Sequence, residues 1–90
     1  MGSLASHPAP SHTLQGTDLG DEYLFYDRQQ DRVHVLNGTA REIYLLCDGT
    51  RSAEEVADVL AQRYAIDVHR ALDDTTETIQ RLCDLGLLVS

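Results

Sequence analysis

The sequence predicts an α+β domain in which a short antiparallel sheet precedes three helices. Three observations carry this prediction. Two β-prone runs, Tyr23–Tyr26 and Arg32–Leu36, stand on either side of a polar loop, as the arms of a hairpin do. Two capping-box spacings, Thr39 to Glu42 and Ser52 to Glu55, each open a stretch of helical periodicity. A third amphipathic stretch runs from about Val68 to Leu85 and stops at Gly86.

Ninety residues hold one small domain and leave no room for a second core. With 42% apolar residues and no Trp, that core is built mainly from Leu, Ile, Val and Ala. No run reaches the ~18 apolar residues of a membrane span. The first ten residues carry neither the basic nor the apolar region of a secretory signal. The expectation is a cytoplasmic protein that does not enter a membrane. The formal charge is −8, with seven Arg, no Lys and fifteen acids. Nucleic-acid binders draw their affinity from clustered basic residues, so this balance argues against a nucleic-acid partner. It suits solubility or a neutral to basic peptide partner.

Residues 1–16 hold Pro8, Pro10, several Ser and the pair His7 and His12, without apolar periodicity. They are expected to form a flexible tail ahead of a folded domain at 17–90, with His12–Gln15 as a possible first short strand. The two histidines lack a third ligand nearby and make no metal site. In the second β-prone run, Val33 and Val35 project to one face and His34 and Leu36 to the other. One face is expected against helices, the other against solvent or a ligand.

Asn37 and Gly38 end that run with residues suited to a turn. Thr39 and Glu42 then predict a capped helix over about Ala40–Cys47, with Ala40, Ile43, Tyr44 and Cys47 on one face. Gly49 is the expected left-handed stop. The Ser52–Glu55 box opens a second helix that buries Val56, Ala57, Val59, Leu60 and Tyr64. The third helix buries Leu72, Thr75 or Thr76, Ile79, Leu82 and Cys83, and Leu87–Val89 lies back over the core. Its middle, Asp73-Asp74-Thr75-Thr76, is polar, which marks an exposed face or the lining of a groove. Together these elements outline a winged helix-turn-helix-like fold.

No reaction centre is legible. There is no nucleophile elbow, no Ser-x-x-Lys pair and no Gly-rich phosphate cradle. The adjacent acids Glu54-Glu55 and Asp73-Asp74 point about 100° apart on their helices and make no acid/base pair. His34 and His69 stand alone. Cys47 and Cys83 fall on apolar helical positions outside any metal-ligand spacing, and read as reduced core residues. No enzyme activity, cofactor or metal is expected. A binding surface remains. Arg32–Leu36 is the last strand of its sheet in sequence, and an exposed edge offers free N–H and C=O groups to a partner strand.

The run Val33-His34-Val35-Leu36-Asn37-Gly38-Thr39-Ala40, then Ile43, Leu46-Cys47-Asp48-Gly49, Val56 and Leu60, resembles the PqqD family. So do Asp74, Ile79, Leu82 and Gly86-Leu87-Leu88 near the end. The resemblance covers about Tyr23 to Leu88. It implies a RiPP recognition element, a peptide chaperone that binds the leader of a ribosomally made precursor by strand addition. Such a domain presents the leader to a modifying enzyme, for example a radical SAM protein, in quinone cofactor (PQQ) or peptide natural product biosynthesis. The fold implied is three antiparallel strands and three helices. Carried over by position, the peptide groove is Arg32, Val33, His34 and Val35 on one side and Leu72, Thr75, Thr76 and Ile79 on the other. The family usually places an aliphatic residue where Thr75 stands, which predicts a more polar groove here. A winged-helix DNA-binding or regulatory protein is the alternative, a purely structural adaptor a third reading. The exposed edge and apolar end also leave a homodimer open.

Overall fold

The computed structural model describes residues 7–11 and 14–89. The elements run β1 (Ala9–Pro10), β2 (Gln15–Asp18), β3 (Glu22–Asp27), β4 (Arg32–Asn37), α1 (Gly38–Leu46), α2 (Ala53–Tyr64), α3 (Val68–Asp84) and β5 (Leu88–Val89). β2, β3 and β4 form an antiparallel sheet in that order, and β1 pairs with β5 in a separate two-stranded ribbon. The three-stranded sheet and three helices match the predicted α+β outline.

Residues 8–11 depart from the expected tail. Ala9 and Pro10 pair with Val89 and Leu88, Pro8 is buried, and the Ser11 N–H donates to Leu87 O at 3.0 Å. Gln15 and Gly16 belong to β2. The physical reason lies at the other end of the chain. Leu87 and Leu88 bury themselves in the core, and their backbone then offers an edge for the early residues to pair with. His12 and Thr13 lie outside the described residues.

The β3–β4 hairpin pairs Tyr23 with Leu36, Phe25 with His34, Leu24 with Val35 and Tyr26 with Val33. Phe25 and Leu36 are buried and His34 is half-buried, so this set faces the helices. α1 crosses that inner face. Tyr44 meets Tyr23 and Phe25 with ring centroids 4.9 and 5.0 Å away, and those two rings stack at 4.7 Å. Gly16 on β2 makes room beneath them. A Cβ there would stand 2.4 Å from Tyr23 Cε1 and 2.8 Å from Phe25 Cε1, so no larger residue fits. Arg41 completes the crossing with a two-pronged bond to Asp18, at 2.9 and 2.8 Å.

The expected Thr39–Glu42 box does not form. Asn37 takes the N-cap position, with no side-chain cap bond, and Gly38 turns the chain at φ +52°. Glu42 instead reaches Arg63 and Tyr64 of α2. That bond holds Tyr64 at the surface, 46% exposed, where burial was expected. The Ser52–Glu55 box forms in full, at 2.8 and 3.2 Å. α1 ends at Leu46, before Gly49. The Cys47 N–H closes it on Ile43 O and Tyr44 O, while Gly49, at φ +90°, donates to Pro8 O. At the end of α3, Gly86 donates to Cys83 O and Leu87 to Leu82 O, the two bonds of a Schellman closure.

The core gathers Phe25, Leu36, Ile43, Val56, Leu60, Ile79, Leu82, Leu87 and Leu88 into one cluster. Cys47 belongs to it, and burial, with Cys83 nearby, pushes its thiol up to about 11. Thr75 is wholly buried, at 0% exposure, and its hydroxyl has no hydrogen-bond partner. An unpaired buried hydroxyl destabilises a fold, so Thr75→Val should add about 1 kcal/mol to the unfolding free energy. Urea titration of the two proteins checks this, and an unchanged or lower midpoint would contradict it.

Three carboxylates hold their pKa values below the ordinary ones by accepting local bonds. Asp18 accepts from the Gly20 N–H and then Arg41. Asp48 accepts from the Thr50 hydroxyl and N–H, and Glu55 from the Ser52 N–H. Groups with depressed folded values add stability that is complete above the unfolded values, 3.8 for Asp and 4.5 for Glu. That stability is lost as pH falls through the lowered folded values. The melting temperature should therefore hold between neutral pH and about pH 5 and decline below about pH 4. Calorimetry across that range that found a rise on acidification would contradict the assignment.

Candidate functional site

β4 is an edge. It pairs with β3 on one side and leaves its other side without a strand among the described residues. Neighbouring residues of an antiparallel strand direct their N–H groups to opposite sides, so every second amide between Arg32 and Asn37 faces off the sheet. β2 is the other edge, but it is four residues long, contains Gly16 and ends at Asp18, whose side chain is bound to Arg41. β4 has six residues and carries two β-branched side chains on its outer face. It is the better template for a partner strand.

The four residues expected to accept a peptide on this strand lie together. Val33 and Val35 are 56% and 48% exposed on the outer face. His34 is half-buried on the inner face, and Arg32 is exposed at the start of the strand. The alternation read from the sequence is the one observed. Leu24 and Tyr26, in register with Val35 and Val33, extend the outer apolar surface across β3. Neither was among the expected site residues, although the period-two alternation of Tyr23–Tyr26 places them there.

The four residues expected on α3 divide. Leu72 is half-buried and Thr76 exposed, so both offer surface. Ile79 is buried with Leu36, Ile43 and Phe25 in the common core, which places it beneath any groove. Thr75 is fully buried, so it adds no polar surface to a groove, contrary to the expectation drawn from its departure from the family pattern. One residue, about 100° around the helix axis, makes the difference. Ala71, Thr75, Ile79 and Leu82 form the inward stripe of α3, and Val68, Leu72 and Thr76 follow one another at four-residue spacing along its flank. Val68, 42% exposed, was missed, and its spacing from Leu72 was the available signal.

α1 touches both β4 and α3, so a short rigid helix fixes the strand edge relative to this flank. The flank itself is not basic. α3 carries Arg70 and Arg81 against Asp73, Asp74, Glu77 and Asp84. A recognition helix with that balance repels phosphate, which removes the physical basis for DNA binding. Among the described residues, no group of three His, Cys, Asp or Glu side chains could hold a metal ion, and no helix is long and apolar enough to cross a membrane.

Two solved structures share this fold. TbiB1, in complex with the TbiA(beta) leader peptide, is 20% identical with a TM-score of 0.78, over 89% of this chain and 93% of that one. Lasso peptide synthetase B1, complexed with a leader peptide, is 18% identical with a TM-score of 0.81, over 93% and 99%. Two curated relatives, each a "PqqA binding protein", come from Bradyrhizobium diazoefficiens and Rhodopseudomonas palustris. Each is 38% identical over 58 residues, or 64% of this chain. The match spans little more than half of those relatives, 56% and 57% of their length. Residues 22–88 match the family model described as "Coenzyme PQQ synthesis protein D (PqqD)", so with β3, β4 and all three helices inside the match, the chain belongs to the PqqD family.

Proposed function

We propose that this protein binds the leader peptide of a ribosomally synthesised precursor as a strand added to β4, and presents it to a modifying enzyme. The observation that carries this reading is the six-residue edge of β4, open among the described residues and held by α1, which also packs against α3. Backbone bonds to β4 set the register of the peptide. Val33, Val35 and His34 on the strand, with Leu72, Thr76 and Val68 on the helix, select its side chains. Ile79 supports that surface from below, and Thr75 supports only the core.

The protein acts without chemistry of its own. Cys47 is buried, and burial pushes its thiol up to about 11, which suits packing and not catalysis. The modifying enzyme is of the radical SAM type or another peptide-modifying class, in quinone cofactor or peptide natural product biosynthesis, and the complex works in the cytoplasm. Membership of the PqqD family and the leader complexes of the two structural neighbours support the peptide partner. Self-association through β4 would occupy the same edge, so a homodimer would compete with the peptide.

Proline at His34 or at Val35 tests the edge directly, because one of these two N–H groups faces off the sheet and the other bonds to β3. The variant at the outward N–H should keep its helix content and bind a fluorescein-labelled leader peptide about tenfold more weakly. Circular dichroism checks the fold and anisotropy titration the affinity. Parental affinity in both folded variants would contradict strand addition.

A further inference from the structure

A cleft of about 610 Å³ opens at the end of the sheet where β3 turns into β4. Leu14, Tyr26 and Leu85 supply apolar lining, and Gln15, Asp27, Arg28 and Gln29 supply polar groups, with Gly86 at the end of α3 closing one side. It belongs neither to the β4 edge nor to the exposed flank of α3. It lies near the start of β4, however. Tyr26 and Asp27, both in its wall, stand in register with Val33 and Arg32, the first residues of β4. A strand added to β4 would lie two inter-strand spacings from β3, ~10 Å. About three extended residues cover that distance.

We propose, on the basis of strand addition at β4, that the bound peptide continues past Arg32, turns under the hairpin and enters this cleft. It would seat an aliphatic side chain among Leu14, Tyr26 and Leu85, with acidic residues next to it. The volume lies within the range of pockets that enclose small ligands, ample for one or two side chains. The charge pattern supplies the acidic preference. Arg41, Arg51 and Arg63 are each paired with an acid, whereas Arg28, Arg32, Arg70 and Arg81 are exposed and have no ion pair among the described residues; of these four, Arg28 lines the cleft. The acids closest in sequence are engaged locally. Asp27 accepts from the Gln29 and Gln30 N–H groups, and Asp31 from the Tyr26 hydroxyl. One guanidinium without an ion pair, that of Arg28, therefore lines the cleft, and Arg32 follows at the start of β4, in register with Asp27 of the cleft wall.

The test uses the full chain and a peptide of ~20 residues selected on it from a displayed random library, long enough to pair with β4 and run beyond it. Two shortened forms, each lacking about five residues at one end, separate the strand from its continuation. Arg28→Glu and Leu85→Ser change exposed side chains, and circular dichroism confirms that each variant folds. Each should weaken the full peptide about fivefold to tenfold and leave one of the two shortened forms unaffected. The edge proline variant should weaken all three peptides. Unchanged affinity of the full peptide for both Arg28→Glu and Leu85→Ser, with the edge proline variant still impaired, overturns the cleft and leaves strand addition standing. An edge proline variant that binds every peptide like the parent overturns strand addition, and the cleft proposal with it.

Discussion

The contact of Tyr44 with Tyr23 and Phe25 is the constraint on which the remaining architecture depends. Three rings within 5.0 Å of one another, over a glycine that no larger residue can replace, fix the angle at which α1 crosses the sheet. Aromatic pairs of this kind add to the free energy of burial and hold a defined geometry. Arg41 then ties the same helix to β2 through Asp18, and Glu42 ties it to α2 through Arg63 and Tyr64. A nine-residue helix thus organises the sheet on one side and the helical layer on the other.

That arrangement explains why the site lies where it does. With α1 spent on the inner face, β4 keeps one side without a neighbouring strand among the described residues, and its outer face keeps Val33 and Val35 exposed. An edge with exposed β-branched residues carries an aggregation risk that natural proteins usually blunt, so its persistence fits a surface reserved for a partner strand. The residues that hold the fold and those proposed to meet a peptide are also separated. Phe25, Leu36 and Ile79 are buried, whereas Val33, Val35, Leu72 and Thr76 offer surface. On the proposed reading, substitutions in the second group would change what is bound while leaving the first group intact.

Much of this was legible in the sequence, because short-range physics governs it. The alternation Val33-His34-Val35-Leu36 decides which side chains face outward, and Ser52–Glu55 decides where α2 begins. The misreadings came where a long-range contact overrode a local rule. Glu42 had the spacing of a cap but found Arg63 and Tyr64 across the helices, and no window of sequence contains that choice. Pro8 to Ser11 looked like tail because their pairing partners are nearly eighty residues away, at Leu87–Val89. Thr75 looked like groove because it is polar, yet its place on the wheel with Ala71, Ile79 and Leu82 turns it inward. The cleft beside Arg28 and Leu85 joins the hairpin turn to the end of α3, and only the folded chain brings those two together.

The central claim is that a peptide becomes the fourth strand of the sheet at β4. Residue-resolved amide hydrogen exchange, with and without saturating precursor peptide, tests it most directly. Strand addition predicts new protection at every second amide between Arg32 and Asn37, those facing off the sheet, with the edge of β2 unchanged. Protection confined to the helices or to β2, with β4 exchanging as before, would contradict it.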